Sequence, residues 1–275
     1  MGKWAKSLFG RESFGEIGIV LAGVSSQEIE KKILGFFDKV VSSKDSVYHA
    51  HLAEKNRIRY PIVFNVYGAP AMVDALSIMY DGGCRIIIFV GFAYGGFKNL
   101  EIGSIVIPNK SYHFEGIYHH IEPDRKAAFP DKDLKKKLEL VFMREGIGYI
   151  NGINISVPAV VFQLPHANRE YKRIKPLTLE MELAACYSRA KDIGIRAAGV
   201  LIVSDNRRRG VGDTTKERLK LRDSAKIKVL KTVVSNITHF KLPKLPTEKE
   251  FSIDNYLASV IEDPNDVTNV YRKEK

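Results

Sequence analysis

The sequence predicts a three-layer α/β/α domain on a largely parallel mixed sheet, and three observations carry that prediction. Short apolar runs of strand length alternate with segments whose apolar residues recur at helical spacing. The central run Ile86–Val90 is apolar at every position, as a strand covered on both faces must be. The chain has 275 residues, 45% of them apolar, enough for one large domain with a full core.

The elements follow in order. Ile17–Leu21 reads as the first strand, running into Ala22-Gly23-Val24-Ser25-Ser26. Ser25 with Glu28 has capping-box spacing for a helix whose stripe is Ile29, Ile33, Phe36, Phe37 and Val40. Pro61–Val66 is a second strand, followed by Tyr67-Gly68-Ala69-Pro70 and a helix over Ala71–Tyr80 that Gly82-Gly83 stops. After the strand Arg85–Val90, the glycines of Gly91-Phe92-Ala93-Tyr94-Gly95-Gly96 predict a turn. The alternation then repeats: strand Ser104–Ile107, a helix marked by Leu134, Leu138, Val141 and Phe142, strand Ile150–Val157, helix Leu179–Asp192, strand Ala197–Val203. From Lys241 the chain reads as a linker and polar tail with room for one short helix near Ser252–Glu262. The expected organisation is therefore a domain over 1–240 and an appendage over 241–275.

Charge and composition exclude several classes. The formal net charge is +11, and Arg207–Lys231 holds ten Lys/Arg against Asp213, Glu217 and Asp223. Leu219, Ile227, Leu230, Val234 and Ile237 recur at helical spacing there, so the charges are expected on the solvent face of an amphipathic helix. No aromatic residue interleaves with them before Phe240, as a base-stacking surface would require, so no nucleic-acid partner is expected. What remains is attraction for an anionic small molecule. No stretch offers the ~20 apolar residues of a membrane span. Met1–Lys6 lacks the apolar core of a secretion signal, and Cys84 and Cys186 are too few for a disulfide framework. The expectation is a cytoplasmic protein without metal or organic cofactor.

Ligands of α/β sheets sit beyond the carboxyl ends of strands, and four such ends carry unusual residues. Gly91–Gly96 would let backbone N–H groups approach a ligand, or simply make a tight turn. Leu179-Glu180-Met181-Glu182 places two acids that cannot share a helix face, so one can face a cleft; the plainer reading is an acidic first helical turn. Val203-Ser204-Asp205-Asn206 puts an acid at the mouth of an apolar strand, where burial would suit a general acid, or else an N-cap. Glu115-Gly116 precedes His119-His120, a pair with no third metal ligand at useful spacing.

In this order the segments resemble the nucleoside phosphorylase family of purine nucleoside phosphorylases, uridine phosphorylases, and methylthioadenosine and AMP nucleosidases. The carriers run from about Gly18 to Ile237: Gly68-Ala-Pro, Val90-Gly91 with Gly95-Gly96, Leu100–Ile107, Glu115-Gly116, Leu179–Ala185 with its Glu-Met-Glu, and Gly199–Asp205 with its Val-Ser-Asp. The resemblance implies cleavage of an N-glycosidic bond through an oxocarbenium-like ribosyl transition state. It implies that Glu182 accepts hydrogen bonds from the ribose hydroxyls, with Met181 packed on the sugar and Glu180 beside it. Asp205 would serve the purine N7 as acid, and Phe162 would stack on the base. It further implies a site at a dimer interface in a homo-oligomer that reaches a hexamer in many members. Uridine-type members carry Gln-x-Arg, whereas here Arg169 stands six residues after Gln163, so uridine phosphorolysis is the second expectation. A non-catalytic nucleoside-binding protein is the third.

The departures concern the acceptor. Phosphorolytic members hold phosphate with Gly-Asp-Pro-x-Arg after the first strand; here the loop reads Gly23-Val24-Ser25-Ser26-Gln27. The arginine expected before the glycine-rich segment is Phe89, and the Ser or Thr after its glycine is Phe92. A third arginine falls in Tyr48–Arg59, where His49, His51, Lys55, Arg57 or Arg59 could substitute. Gly23, Gly91 and Arg207 remain anion candidates, the last within Arg207-Arg208-Arg209 for a 5′-phosphate. Without the paired arginines a dianion loses its strongest contacts. The expectation leans to water as acceptor, with phosphate as the alternative co-substrate.

Overall fold

The computed structural model describes residues 2–43, 48–96, 100–163, 168–206, 215–243 and Ile253. Its strands in chain order are β1 (Ile17–Ala22), β2 (Lys39–Ser42), β3 (His49–Lys55), β4 (Ile58–Val66), β5 (Ile86–Gly95), β6 (Ile105–His113), β7 (Ala127–Ala128), β8 (Ile150–Ser156), β9 (Thr178–Glu180) and β10 (Arg196–Asp205). The helices are α1 (Lys3–Phe9), α2 (Gln27–Leu34), α3 (Ala69–Asp81), α4 (Ile117–Ile121), α5 (Lys132–Arg144), α6 (Arg169–Ile174), α7 (Leu183–Asp192) and α8 (Lys216–Ser235).

All the strands join one sheet, and β4, β1, β5 and β10 run parallel in that order. Their carboxyl ends, at Val66, Ala22, Gly95 and Asp205, therefore share one edge. Beyond this parallel centre, β10 pairs antiparallel with β6, and β9 pairs antiparallel with β5. The chain β10, β6, β8, β9, β5 closes on itself through the β10–β5 pair, while β1, β4, β3 and β2 extend from it as an arm.

Alternation along the strands builds the two outer layers. Ile17, Ile19 and Leu21 pack with Ile29 and Ile33 of α2, Leu134 and Leu138 of α5, and Val229 and Leu230 of α8. Val20 and Ala22 point the other way, to Phe9 of α1, Met72 and Leu76 of α3, and Leu183 and Cys186 of α7. Helices thus cover both faces, which is why the central strands carry no polar alternation. Leu242 is the last residue of the α2–α5–α8 core; the helix expected near 252–262 falls outside the described residues apart from Ile253.

Local readings need correction in four places. The α2 cap is Ser26, whose Oγ accepts from Ile29 N–H, because Ser25 is engaged elsewhere. That helix also ends at Leu34, so Val40 belongs not to its stripe but to β2, in a β2–β3–β4 meander that the sequence reading lacked. The glycine segment is no turn up to Gly95: β5 continues because β10 pairs with it from Ile86 to Tyr94. Its Gly91 is demanded by packing, since a Cβ there would lie 2.7 Å from the Phe89 ring. Leu179-Glu180 is strand rather than helix, bonded to β5 and β8, and α7 begins only at Leu183.

The fourth correction is α8. Its buried stripe is Arg218, Lys226, Val229, Leu230, Val233 and Val234, so two of the basic residues expected in solvent face inward.

Candidate active site

Glu180, Met181 and Glu182 form the link from β9 into α7, and all three are buried. The two acids are not equivalent. Glu180 Oε1 accepts from Asn154 Nδ2 at 2.7 Å and from the Ser156 hydroxyl. Its Oε2 accepts from the backbone N–H groups of Glu182 at 2.6 Å and Leu183 at 2.7 Å, so this carboxylate closes the orphan donors at the start of α7. Burial pushes its pKa up while these donors pull it back. Every lone pair direction is engaged, which makes Glu180 a structural acid.

The Glu182 carboxyl accepts from two backbone N–H groups. Its Oε1 accepts from Gly68 N–H at 2.5 Å and its Oε2 from Met181 N–H at 3.3 Å. Gly68 can present that N–H because it turns through φ +84° between β4 and α3, a conformation that favours glycine. Burial first, and then the charge of Glu180, push the Glu182 carboxyl up to about 8. A buried carboxyl with spare acceptor capacity at the carboxyl edge of the sheet suits a ligand bearing vicinal hydroxyls. Met181 packs with Tyr94, Ile155 and Leu179.

Asp205 ends β10. A register shift between Val203 and Asp205 against β5 re-aims it, and it then sits opposite Tyr94. Tyr94 in turn pairs with Leu179, the neighbour of Glu180, so β5 carries the acid and the Glu-Met-Glu segment on its two sides. Asp205 Oδ1 meets the Arg218 guanidinium, and Oδ2 accepts from Ser204 Oγ at 2.7 Å. The expected apolar surround is thus replaced by an ion pair with a residue the sequence reading missed. Arg218 also donates to Ser204 O at 3.1 Å, and its Nε has no hydrogen-bond partner among the described residues. The α8 cap is Thr215, so Asp205 is not that helix's N-cap.

The remaining candidates are placed as follows. Gly23, at φ +75°, uses its N–H on Val66 O at 3.0 Å. Ser25 N–H donates to Asn65 Oδ1 at 2.9 Å, and Ser25 Oγ accepts from Lys226 Nζ at 2.6 Å. Gly91 lies inside β5, and Phe89 is fully buried beneath it. Phe162 ends a short 3₁₀ turn, Val160–Phe162, and is 52% exposed. Arg207 lies outside the described residues. His49 and His51 both bind Glu30, at 3.0 and 2.7 Å, rather than reaching a site. Glu115 bonds His113 at 2.6 Å, whose other nitrogen meets Ser188 Oγ at 2.8 Å, tying β6 to α7. A cavity of about 1010 Å³ opens at the opposite end of the sheet, beside Arg85, Ile86, Arg196 and Ala197. None of Glu182, Asp205, Ser25 or Gly68 lines it, so size alone does not mark the chemistry.

Comparison with known proteins places the chain and its fold. The family model of the phosphorylase superfamily matches residues 66–238, and the chain belongs to that superfamily. Its fold is similar to the crystal structure of Toxoplasma gondii purine nucleoside phosphorylase in complex with immucillin-H: TM-score 0.69, 15% identity, 82% of this chain and 92% of that one covered. It is also similar to the Campylobacter jejuni 5′-methylthioadenosine/S-adenosyl homocysteine nucleosidase: TM-score 0.65, 14% identity, 80% and 98% covered. Among the described residues no helix is long and apolar enough to cross a membrane.

Proposed function

We propose that the protein cleaves the N-glycosidic bond of a purine ribonucleoside or nucleotide, with water as the acceptor. The observation that carries this reading is the division of labour among the acids: Glu180 is saturated by four donors, while Glu182 keeps acceptor capacity and Asp205 is re-aimed across β5 from it. Glu182 anchors the ribose hydroxyls, with Met181 against the sugar and Phe162 against the base. As the bond to C1′ lengthens, positive charge grows on the ribosyl ring and negative charge on the base. The anchor stabilises the first, and Asp205 supplies the proton that N7 needs for departure. Ser204 and Arg218 fix the carboxyl's orientation.

The acceptor reading rests on the residues of the first-strand loop itself and on Phe89. Val24, Ser25, Ser26 and Gln27 carry no charge, and Phe89 is sealed in the core. Gly23 spends its N–H on Val66 O and Gly91 lies within β5, which leaves Arg207 as the candidate for an anionic group on the substrate. We place the site in a dimer-based homo-oligomer.

The test is base release from adenosine, inosine, guanosine, their 5′-nucleotides and uridine, each with and without phosphate. Purine release without phosphate is expected. Release from none would overturn the enzymatic reading, strict phosphate dependence the acceptor, and preference for uridine the role of Asp205.

A further inference from the structure

Lys226 is fully buried in the middle of α8. Buried lysines ordinarily hold a carboxylate, yet no ion pair joins this one to an acid among the described residues. Its Nζ lies 2.6 Å from Ser25 Oγ and 4.4 Å from the centre of the Phe92 ring. Three groups on the packed elements act on its charge: Arg222 and Asp223 on α8, and Glu30 on α2. Both acids are already engaged, Asp223 with Arg222 at 2.8 Å and Glu30 with His49 and His51. Burial and the Arg222 charge bring the Lys226 amine down to about 7, so its neutral form is available at neutral pH.

Ser25 links this amine to the carboxyl edge of the sheet. Its N–H donates to Asn65 Oδ1, Gly23 N–H donates to Val66 O, and Gly68 N–H donates to Glu182. The Ser25 backbone N–H and the Glu182 carboxylate are thus both held by one stretch, Asn65 to Gly68. Ser25 keeps slight exposure, whereas Lys226 has none and can act only through it.

We infer that Ser25 and Lys226 form a proton relay that activates the attacking water, an inference that rests on the hydrolytic reading above. The water proton passes to Ser25 Oγ as the Ser25 proton passes to the neutral Lys226 amine, leaving an ammonium. The water oxygen bonds to C1′ while the C1′–N bond breaks, and that electron pair leaves with the base, which takes its proton from Asp205. Lys226 then returns its proton to solvent and Asp205 regains one. Lys226 is a positioning and proton-accepting residue behind Ser25, not a group that touches substrate.

The experiment measures kcat and KM for the best purine nucleoside in phosphate-free buffer across pH 5.5–9, for the native chain, Ser25→Ala, Lys226→Arg and Lys226→Met. In the native chain kcat should rise about tenfold per pH unit and level near 7. All three variants should lose ~10²–10⁴-fold in kcat, keep KM, and lose that limb. Arginine fails in this role because its guanidinium stays charged. Should Lys226→Met not fold, Ser25→Ala, which leaves α8 intact, decides. Native hydrolysis with Ser25→Ala and Lys226→Arg equally fast and the same limb retained would overturn the relay alone. A native chain that releases base only with phosphate would overturn the hydrolytic reading, and the relay with it.

Discussion

Asp205 and Glu182 are both acids at the carboxyl edge of the sheet, yet their surroundings ask different things of them. Asp205 is held by a guanidinium and a hydroxyl, and in the proposed reaction it hands a proton to the base. Asp205→Asn keeps an oxygen for Arg218 but has no transferable proton, so kcat on purines should fall by ~10²–10⁴ with KM little changed. Glu182→Gln should damage kcat and KM together, because a sugar anchor acts in the ground state and in the transition state. Steady-state kinetics on both variants separate the roles; a kcat for Asp205→Asn within about threefold of the parent would remove the acid from the mechanism. At this scale the sequence was legible only in part. Glu-Met-Glu announces a site, but which acid is free depends on Asn154 and Ser156, which reach Glu180 from β8, far away in sequence. Arg218 and Lys226 were missed because basic residues on a helix were assigned to solvent. Their spacing held the signal: Arg218, Arg222, Lys226 and Leu230 stand four apart, on one face with the apolar stripe.

Elements were legible where one period dominated over their whole length. The strands β1, β8 and β10, β5 as far as Val90, and the helix α5 follow from apolar runs and stripes alone. The reading broke where a partner overrode local composition: glycines in β5 are carried as strand by β10, and Glu180 is drawn into β9 by β5 and β8. The short helix α1 shows the same dependence. Seven residues are too few to be helical alone, and α1 is held by Asp81 at the end of α3, whose carboxylate accepts from the N–H groups of Gly2 at 2.9 Å, Trp4 at 3.0 Å and Ala5 at 3.2 Å. Asp81→Ala removes the acceptor that Gly2, Trp4 and Ala5 share, and should lower stability by about 1–3 kcal/mol. Denaturant unfolding should show the earlier midpoint while kcat on the preferred nucleoside stays unchanged. An unchanged midpoint would mean that packing of Leu8 and Phe9 alone holds α1 in place.

The whole molecule carries the consequence of burying two ionisable side chains, one at the sugar anchor and one behind the first loop. Glu182 stands at about 8 against an ordinary 4.5, and Lys226 at about 7 against 10.5. The sign follows from proton counts. Between 4.5 and 8 the folded chain keeps a proton on Glu182 that the unfolded chain has released, so stability falls as pH rises through that window. Between 7 and 10.5 the unfolded chain keeps a proton on Lys226 that the folded chain has lost, so stability rises again with pH. The two windows overlap near neutrality, and their sum is a minimum of stability around pH 7–8. Each pKa unit corresponds to about 1.4 kcal/mol, and even partial relaxation of the site leaves a dip on the order of 1–3 kcal/mol. Glu182→Gln keeps an oxygen for Gly68 N–H and removes the acidic side of the dip; Lys226→Met removes the basic side. Denaturant midpoints at pH 5.5, 7.5 and 9.5 should therefore rise least at 5.5 in Glu182→Gln, clearly more at 7.5, and level off by 9.5, although that variant is expected to lose its activity. A pH-independent difference between Glu182→Gln and the native chain would mean that Glu182 is ionised throughout, with water or a neighbouring subunit solvating it. The sugar anchor would then be preformed in its charged state, and nucleoside binding would release no proton.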